Sequence, residues 1–111
     1  MAAVANLRID QGTNFSSDVT VTNTDGDAVN LTGYTTFANL ATSYNASSKI
    51  AFTAAINADP ATGIIELSLS EAQTTALDHH TRYVYDVYIV KTTDSSVTRV
   101  IEGIISVSPR V

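Results

Sequence analysis

The chain has 111 residues, 44% of them hydrophobic and only 15% charged, with 11 acidic against 6 basic residues and a formal net charge of −5. That length fits one domain, expected to span residues 1–111 with 1–6 as an N-terminal arm. The basic residues Arg8, Lys49, Arg82, Lys91, Arg99 and Arg110 are scattered, which argues against a nucleic-acid partner, and the lack of cysteine removes disulfides, thiolate nucleophiles and cysteine zinc sites.

The charged share lies below the roughly 25% of ordinary soluble domains. Thr, Ser, Ala and Asn fill the gap, so the surface is polar but weakly charged. Such a surface sheds water at less cost than one covered in Lys and Glu, which suits lasting contact with neighbours. No long apolar run or basic amphipathic helix marks a membrane segment, and the opening MAAVA is too short for the apolar core of a secretory signal. The chain is expected to be made and folded in the cytoplasm.

Turn chemistry punctuates the chain every ten residues or so. FSSDVTVTN (15–23) alternates, with Phe15, Val19 and Val21 on one side, and reads as a half-buried strand. TDGD (24–27) supplies the Asp-Gly pair favoured in type I′ hairpins, and DAVNLTGY (27–34) ends in a glycine that suggests a bend at a sheet edge. TFANLATS (36–43) and KIAFTAAI (49–56) read as two more strands, and ADPATG (58–63) as a turn with Gly63 available for the left-handed position.

IIELSL (64–69) follows as a strand with Ile65, Leu67 and Leu69 on one parity. Then comes a short helix with Ser70 as N-cap, Gln73 at the capping-box position and Ala72, Ala76 and Leu77 as its apolar side. Strand 82–91, the turn TTDSS (92–96) and VTRVIEGIISV (97–107) complete the chain. About seven short strands with one small helix between the fifth and sixth spell an all-β fold, an immunoglobulin-like antiparallel β-sandwich. Tyr83, near the start of the sixth strand, stands where such sandwiches carry a tyrosine corner; the cysteine expected two residues later is Tyr85.

Candidate chemistry is thin. His79 and His80 are adjacent in an extended connection, where neighbouring side chains diverge, so they read as a solvated turn rather than a metal site. Asp78, His79 and one of many serines make a triad on paper, without the strained nucleophile turn or oxyanion loop that such chemistry needs. Asp25 and Asp27, near Asn23, imitate the start of a calcium loop but lack its distal glutamate. The sequons at Asn14, Asn30 and Asn45 are chance matches in a chain rich in Asn, Ser and Thr. Glu66 and Asp86 lie on strands with nothing to set a cleft between them, and read as surface charges, Asp86 pairing with Arg99 or Arg82. No catalytic group, metal or cofactor is expected, and the chain is not read as an enzyme.

RYVYDVYIV (82–90) raises the functional question, because both of its parities are apolar. With Tyr83, Tyr85, Val87 and Ile89 in the core, Val84, Tyr88 and Val90 emerge on the outer face, beside Val100 and Ile104 of the last strand. Burying each is worth roughly 1.5 to 3 kcal/mol, so bare exposure of the set is a costly arrangement. Either the N-terminal segment ANLRI folds over this face, or another molecule does. The second reading makes Val84, Tyr88, Val90, Val100 and Ile104 an interface.

A resemblance points the same way. LRIDQGTNFSSDVTVTNTDGDAVNLTGYT, ATGIIELSLSEAQTTAL, RYVYDVYIV and VTRVIEGIISVSPRV resemble the small immunoglobulin-like virion proteins of tailed bacteriophages, and are similar to the N-terminal domain of baseplate upper proteins. The alanine-rich SYNASSKIAFTAAINADP departs from that pattern. The resemblance implies a non-enzymatic structural part in a particle, on the tail, the baseplate or as capsid decoration, present in many copies or as a homo-oligomer beside other virion proteins. The competing class is a carbohydrate-binding or host-adhesion module. It would carry aromatic platforms on loops to take a glycan, and Tyr44 is the main loop candidate.

Overall fold

Short apolar alternations bounded by turn residues become strands throughout the computed structural model, which describes residues 3–23, 25–43, 49–78 and 80–109. These strands are β1 (Ala3–Val4), β2 (Leu7–Asp10), β3 (Phe15–Thr20), β4 (Tyr34–Ala41), β5 (Ile50–Ala51), β6 (Thr53–Ile56), β7 (Ile64–Leu69), β8 (Tyr83–Lys91) and β9 (Val97–Ser108). A 3-10 turn (Pro60–Thr62) precedes β7, and one helix, α1 (Glu71–Thr75), separates β7 from β8. One sheet runs β9–β8–β4–β5 with β1 and β2 both on the outer edge of β9; the other runs β3–β7–β6. This is the strand plan of an immunoglobulin-like sandwich, a G–F–C sheet packed on a B–E–D sheet.

The core lies between the sheets, where alternation puts it. Tyr83, Tyr85, Val87 and Ile89 of β8 meet Ile65, Leu67 and Leu69 of β7, with Val19, Val21, Leu40, Ile101 and Ile105, all buried. Tyr83 forms the tyrosine corner: its hydroxyl accepts the Asp78 N–H at 2.9 Å. Tyr85 occupies the cysteine position of that fold, and its ring meets Phe52 edge-on, with centroids 6.1 Å apart.

Several expected elements come out differently. DAVNLTGY contributes only a single bridge, Ala28 to Thr22, and otherwise runs as irregular chain to the expected bend, a turn at Thr32 and Gly33 from which Tyr34 opens β4. The TDGD hairpin is not type I′, because of its central residues Asp25 and Gly26 only Gly26 carries positive φ, and Asn23 N–H donates to Asp27 O. That is the longer loop with glycine at the left-handed position. KIAFTAAI is two strands rather than one. Ile50 and Ala51 pair with β4 in one sheet, Phe52 is buried at the crossing, and Thr53–Ile56 pair with β7 in the other. The helix has its capping box between Ser70 and Gln73, but it buries Thr74 and Leu77 while Ala72 and Ala76 stay exposed. Gly63 does take the left-handed position, at φ 70, where a Cβ would come within 2.8 Å of Val21 O.

The N-terminal segment does not fold over the outer face of β8. β1 and β2 lie in the plane of the sheet, parallel to β9 and in one continuous register, Ala3 opposite Ile101 and Leu7 opposite Ile105. Between them Gly103 leaves room for the Ala5 carbonyl, which a Cβ there would overlap. That carbonyl accepts the Tyr85 hydroxyl. Asn6 Oδ1 then accepts the Ile104 N–H at 3.1 Å, so the break in the ladder is bridged by side chains.

Candidate interaction face

Strand pairing arranges the outer side of β4, β8 and β9 in four rows: Thr35–Val90–Val97, Phe37–Tyr88–Arg99, Asn39–Asp86–Glu102 and Ala41–Val84–Ile104. Tyr88, Val84, Val90 and Ile104 therefore share this face, as the alternation requires. Val100 does not. A β-bulge between Val87 and Tyr88 makes Val100 the extra residue of β9, and it packs, half-buried, against the core cluster. The bulge also turns Val97 and Arg99 outward, where an unbroken period of two would put Val100.

The second row is preorganised. Phe37 and Tyr88 are a directly opposed cross-strand pair whose rings stack at 4.9 Å with an interplanar angle of 12°. On the far side of Tyr88 the Arg99 guanidinium carbon lies 5.6 Å from the ring centroid. Arg99 Nη2 donates to the Tyr88 hydroxyl at 3.1 Å, and that hydroxyl lies 3.2 Å from Asp86 Oδ2 as its donor. Arg99 also pairs with Asp86 at 3.6 Å and with Glu102 at 3.2 Å. The Tyr88 hydrogen bond, with the two carboxylates beside it, holds the guanidinium above the usual arginine range. Arg99 of the second row thus offsets one of the two carboxylate charges of the third, the last row is apolar, and the first sets Val90 and Val97 beside Thr35.

Phe37, Val97 and Ile104 remain 42%, 57% and 37% exposed. The sequence reading paired Arg99 with Asp86, as found, but did not put Arg99, Phe37 or Val97 on this face. The signal for Phe37 was available, because TFANLA alternates and its outward residue is aromatic. The bulge that turns out Val97 and Arg99 has no local sequence mark.

The remaining candidates resolve into turn chemistry. Asp78 Oδ1 accepts the His80 N–H at 2.9 Å and Oδ2 accepts the Thr81 hydroxyl at 3.1 Å, so this carboxylate braces its own turn. Asn23 Oδ1 accepts the Asp25 and Asp27 N–H groups. Asn14 caps Glu71 N–H and Asn30 caps Thr32 N–H. Glu66 accepts Asn57 Nδ2 on the outer side of the second sheet, the opposite surface of the sandwich from Asp86. His79, Tyr44, Asn45 and Arg110 lie outside the described residues. Among the described residues no group of three His, Cys, Asp or Glu converges on one point, and no helix is long and apolar enough to cross a membrane.

The depression at the β4–β8 end of the face, lined by Asn39, Ala41, Lys49, Val84 and Asp86, has a volume of about 20 Å³. That is room for one water. A broader open groove of about 500 Å³ runs past Leu7, Arg8, Ser106 and Pro109, with Arg8 already bonded to Ser108 Oγ at 3.1 Å.

No family model matches the chain, and no curated protein matches it in sequence. Among solved structures it is similar to that of the NK cell receptor NKp44, a triggering partner in natural cytotoxicity. The identity is 15% and the TM-score 0.47, over 97% of this chain and 99% of that one.

Proposed function

We propose that this chain is a non-enzymatic structural component of a tailed-phage virion, tail- or baseplate-associated or decorating the capsid, that binds neighbouring virion proteins through the outer face of β4, β8 and β9. The particle is supported by the resemblance of its strand segments to phage virion domains. The face is supported by one observation, the stacked row Phe37–Tyr88–Arg99, flanked by Val90 and Val97 on one side and by the Asp86 and Glu102 carboxylates that pair with Arg99 on the other. Aromatic residues and arginine dominate interface hot spots because they bury large areas for little lost side-chain freedom. Here stacking and hydrogen bonds have already removed most of that freedom, so docking costs less. In an array of many copies each contact needs only modest strength, since high local concentration supplies the rest.

Ile104→Asp and Tyr88→Glu test the reading. Each places a carboxylate under the partner, costing on the order of 3 kcal/mol or more, over a hundredfold in affinity. The expected result is a folded domain by circular dichroism melting that no longer incorporates into its particle. Normal incorporation of either folded variant removes the face from the assembly.

A further inference from the structure

The second sheet carries an edge that the chain leaves open. β3 is its outer strand, and among the described residues nothing pairs with the side of β3 away from β7. Main-chain direction follows from Val21, whose N–H donates to Gly63 O at 2.7 Å. In an antiparallel strand these groups alternate between the two sides. Phe15, Ser17 and Val19 therefore address β7, and Ser16, Asp18 and Thr20 present theirs to the open side, with exposed side chains. In an immunoglobulin sandwich a first strand lies here. In this chain the N-terminal strands have gone to β9 in the other sheet instead.

An independent observation concerns charge. Asp18 stands directly opposite Glu66 of β7, and both are exposed. Like charges in that position destabilise a sheet. Among the described residues neither carboxylate joins an ion pair. Asp18 is the residue whose main-chain groups lie at the middle of the open stretch. A cation brought in on an added strand beside Asp18 relieves the repulsion while that strand takes up the free hydrogen-bonding groups.

We propose that the open edge of β3 is a docking site for an extended segment of a partner protein, added as a further strand with Lys or Arg beside Asp18. Strand addition draws affinity from the main chain and specificity from alternate side chains. A second copy of this chain is a poorer occupant, because pairing β3 with itself brings Asp18 and Glu66 of both copies together in molecules of net charge −5. This inference is independent of the β4–β8–β9 face, which lies on the other sheet.

The test titrates the whole chain, labelled for NMR, with a seven-residue peptide alternating Thr and Val around a central Lys, and with the same peptide carrying Glu in its place. The expected result is protection of the Ser16, Asp18 and Thr20 amides from hydrogen exchange, with the already paired Ser17 and Val19 unchanged. The Lys peptide should bind several-fold more tightly than the Glu peptide, and Asp18→Lys should reverse that order. If Asp18→Lys does not fold, Asp18→Asn decides, by abolishing the preference. Equal binding of the two peptides, protection confined to other strands, or no binding at millimolar peptide overturns the proposal. So does a doubled mass without peptide that protects these same amides, which assigns the edge to a second copy. Ile104→Asp should leave peptide binding intact, so failure here and failure of the proposed function are read separately.

Discussion

Tyr85 is where the chain compensates for having no disulfide. Its ring fills the space between the sheets against Phe52, and its hydroxyl reaches the Ala5 carbonyl across Gly103. Tyr85→Ala removes both, leaving a cavity, and should destabilise the domain by about 2 to 5 kcal/mol in a denaturant melt. Tyr85→Phe keeps the ring and should cost only about 1 kcal/mol. Gly103→Ala acts on the same spot from the other side. The added methyl displaces the Ala5 carbonyl, so the Ala5 N–H, which now donates to Glu102 O at 2.9 Å, should lose its protection from hydrogen exchange. A stability loss of about 1 to 3 kcal/mol should accompany it.

Among the elements, α1 shows how little of a helix five residues need to be. Its capping box satisfies two N-terminal groups. Buried Thr74 ties the helix to the connection between β2 and β3, with Oγ1 donating to Thr13 O at 2.7 Å and accepting Gly12 N–H at 3.2 Å. Thr74→Val keeps the shape and strands those main-chain groups, so it should cost about 1 to 3 kcal/mol. The sequence places this helix through its caps and Leu77 on its buried side, but Ala72 and Ala76, expected beside it, are exposed, and Thr74 is buried instead. Over one turn and a half, apolarity is a weaker guide than a hydroxyl with two main-chain partners. Strands whose inner face is uniformly apolar, β7 and β8, were legible for the opposite reason: period two is enforced along their whole length by the core. KIAFTAAI was not, because a strand that changes sheets at Phe52 keeps its apolar pattern while exchanging partners.

For the whole molecule, the two chain ends are tied together, since β1 and β2 run parallel to β9. Removing residues 1–6 deletes the Ala5 carbonyl and the Asn6 side chain from the Tyr85 hydroxyl and the Ile104 N–H. The melt should shift down by about 1 to 3 kcal/mol. The rows of the β4–β8–β9 face are built without residues 1–6, so incorporation of the truncated chain should persist if the face is the contact. A loss of incorporation with the fold intact would move the contact to the arm.

Alternation, turn residues and caps were enough to settle from the sequence an all-β sandwich, the inner row of β8 and the tyrosine corner at Tyr83, because each depends on neighbours within a few residues. They also placed Tyr88, Val84, Val90 and Ile104 on one outer face. Three things only the tertiary structure decided: the bulge that turns Val100 toward the core and Val97 and Arg99 outward, the stacking of Phe37 on Tyr88, and the passage of the N-terminal segment to the edge of β9 rather than over its face. Each depends on register between strands far apart in the chain, and register is a property of the pairing, which no stretch of residues carries alone.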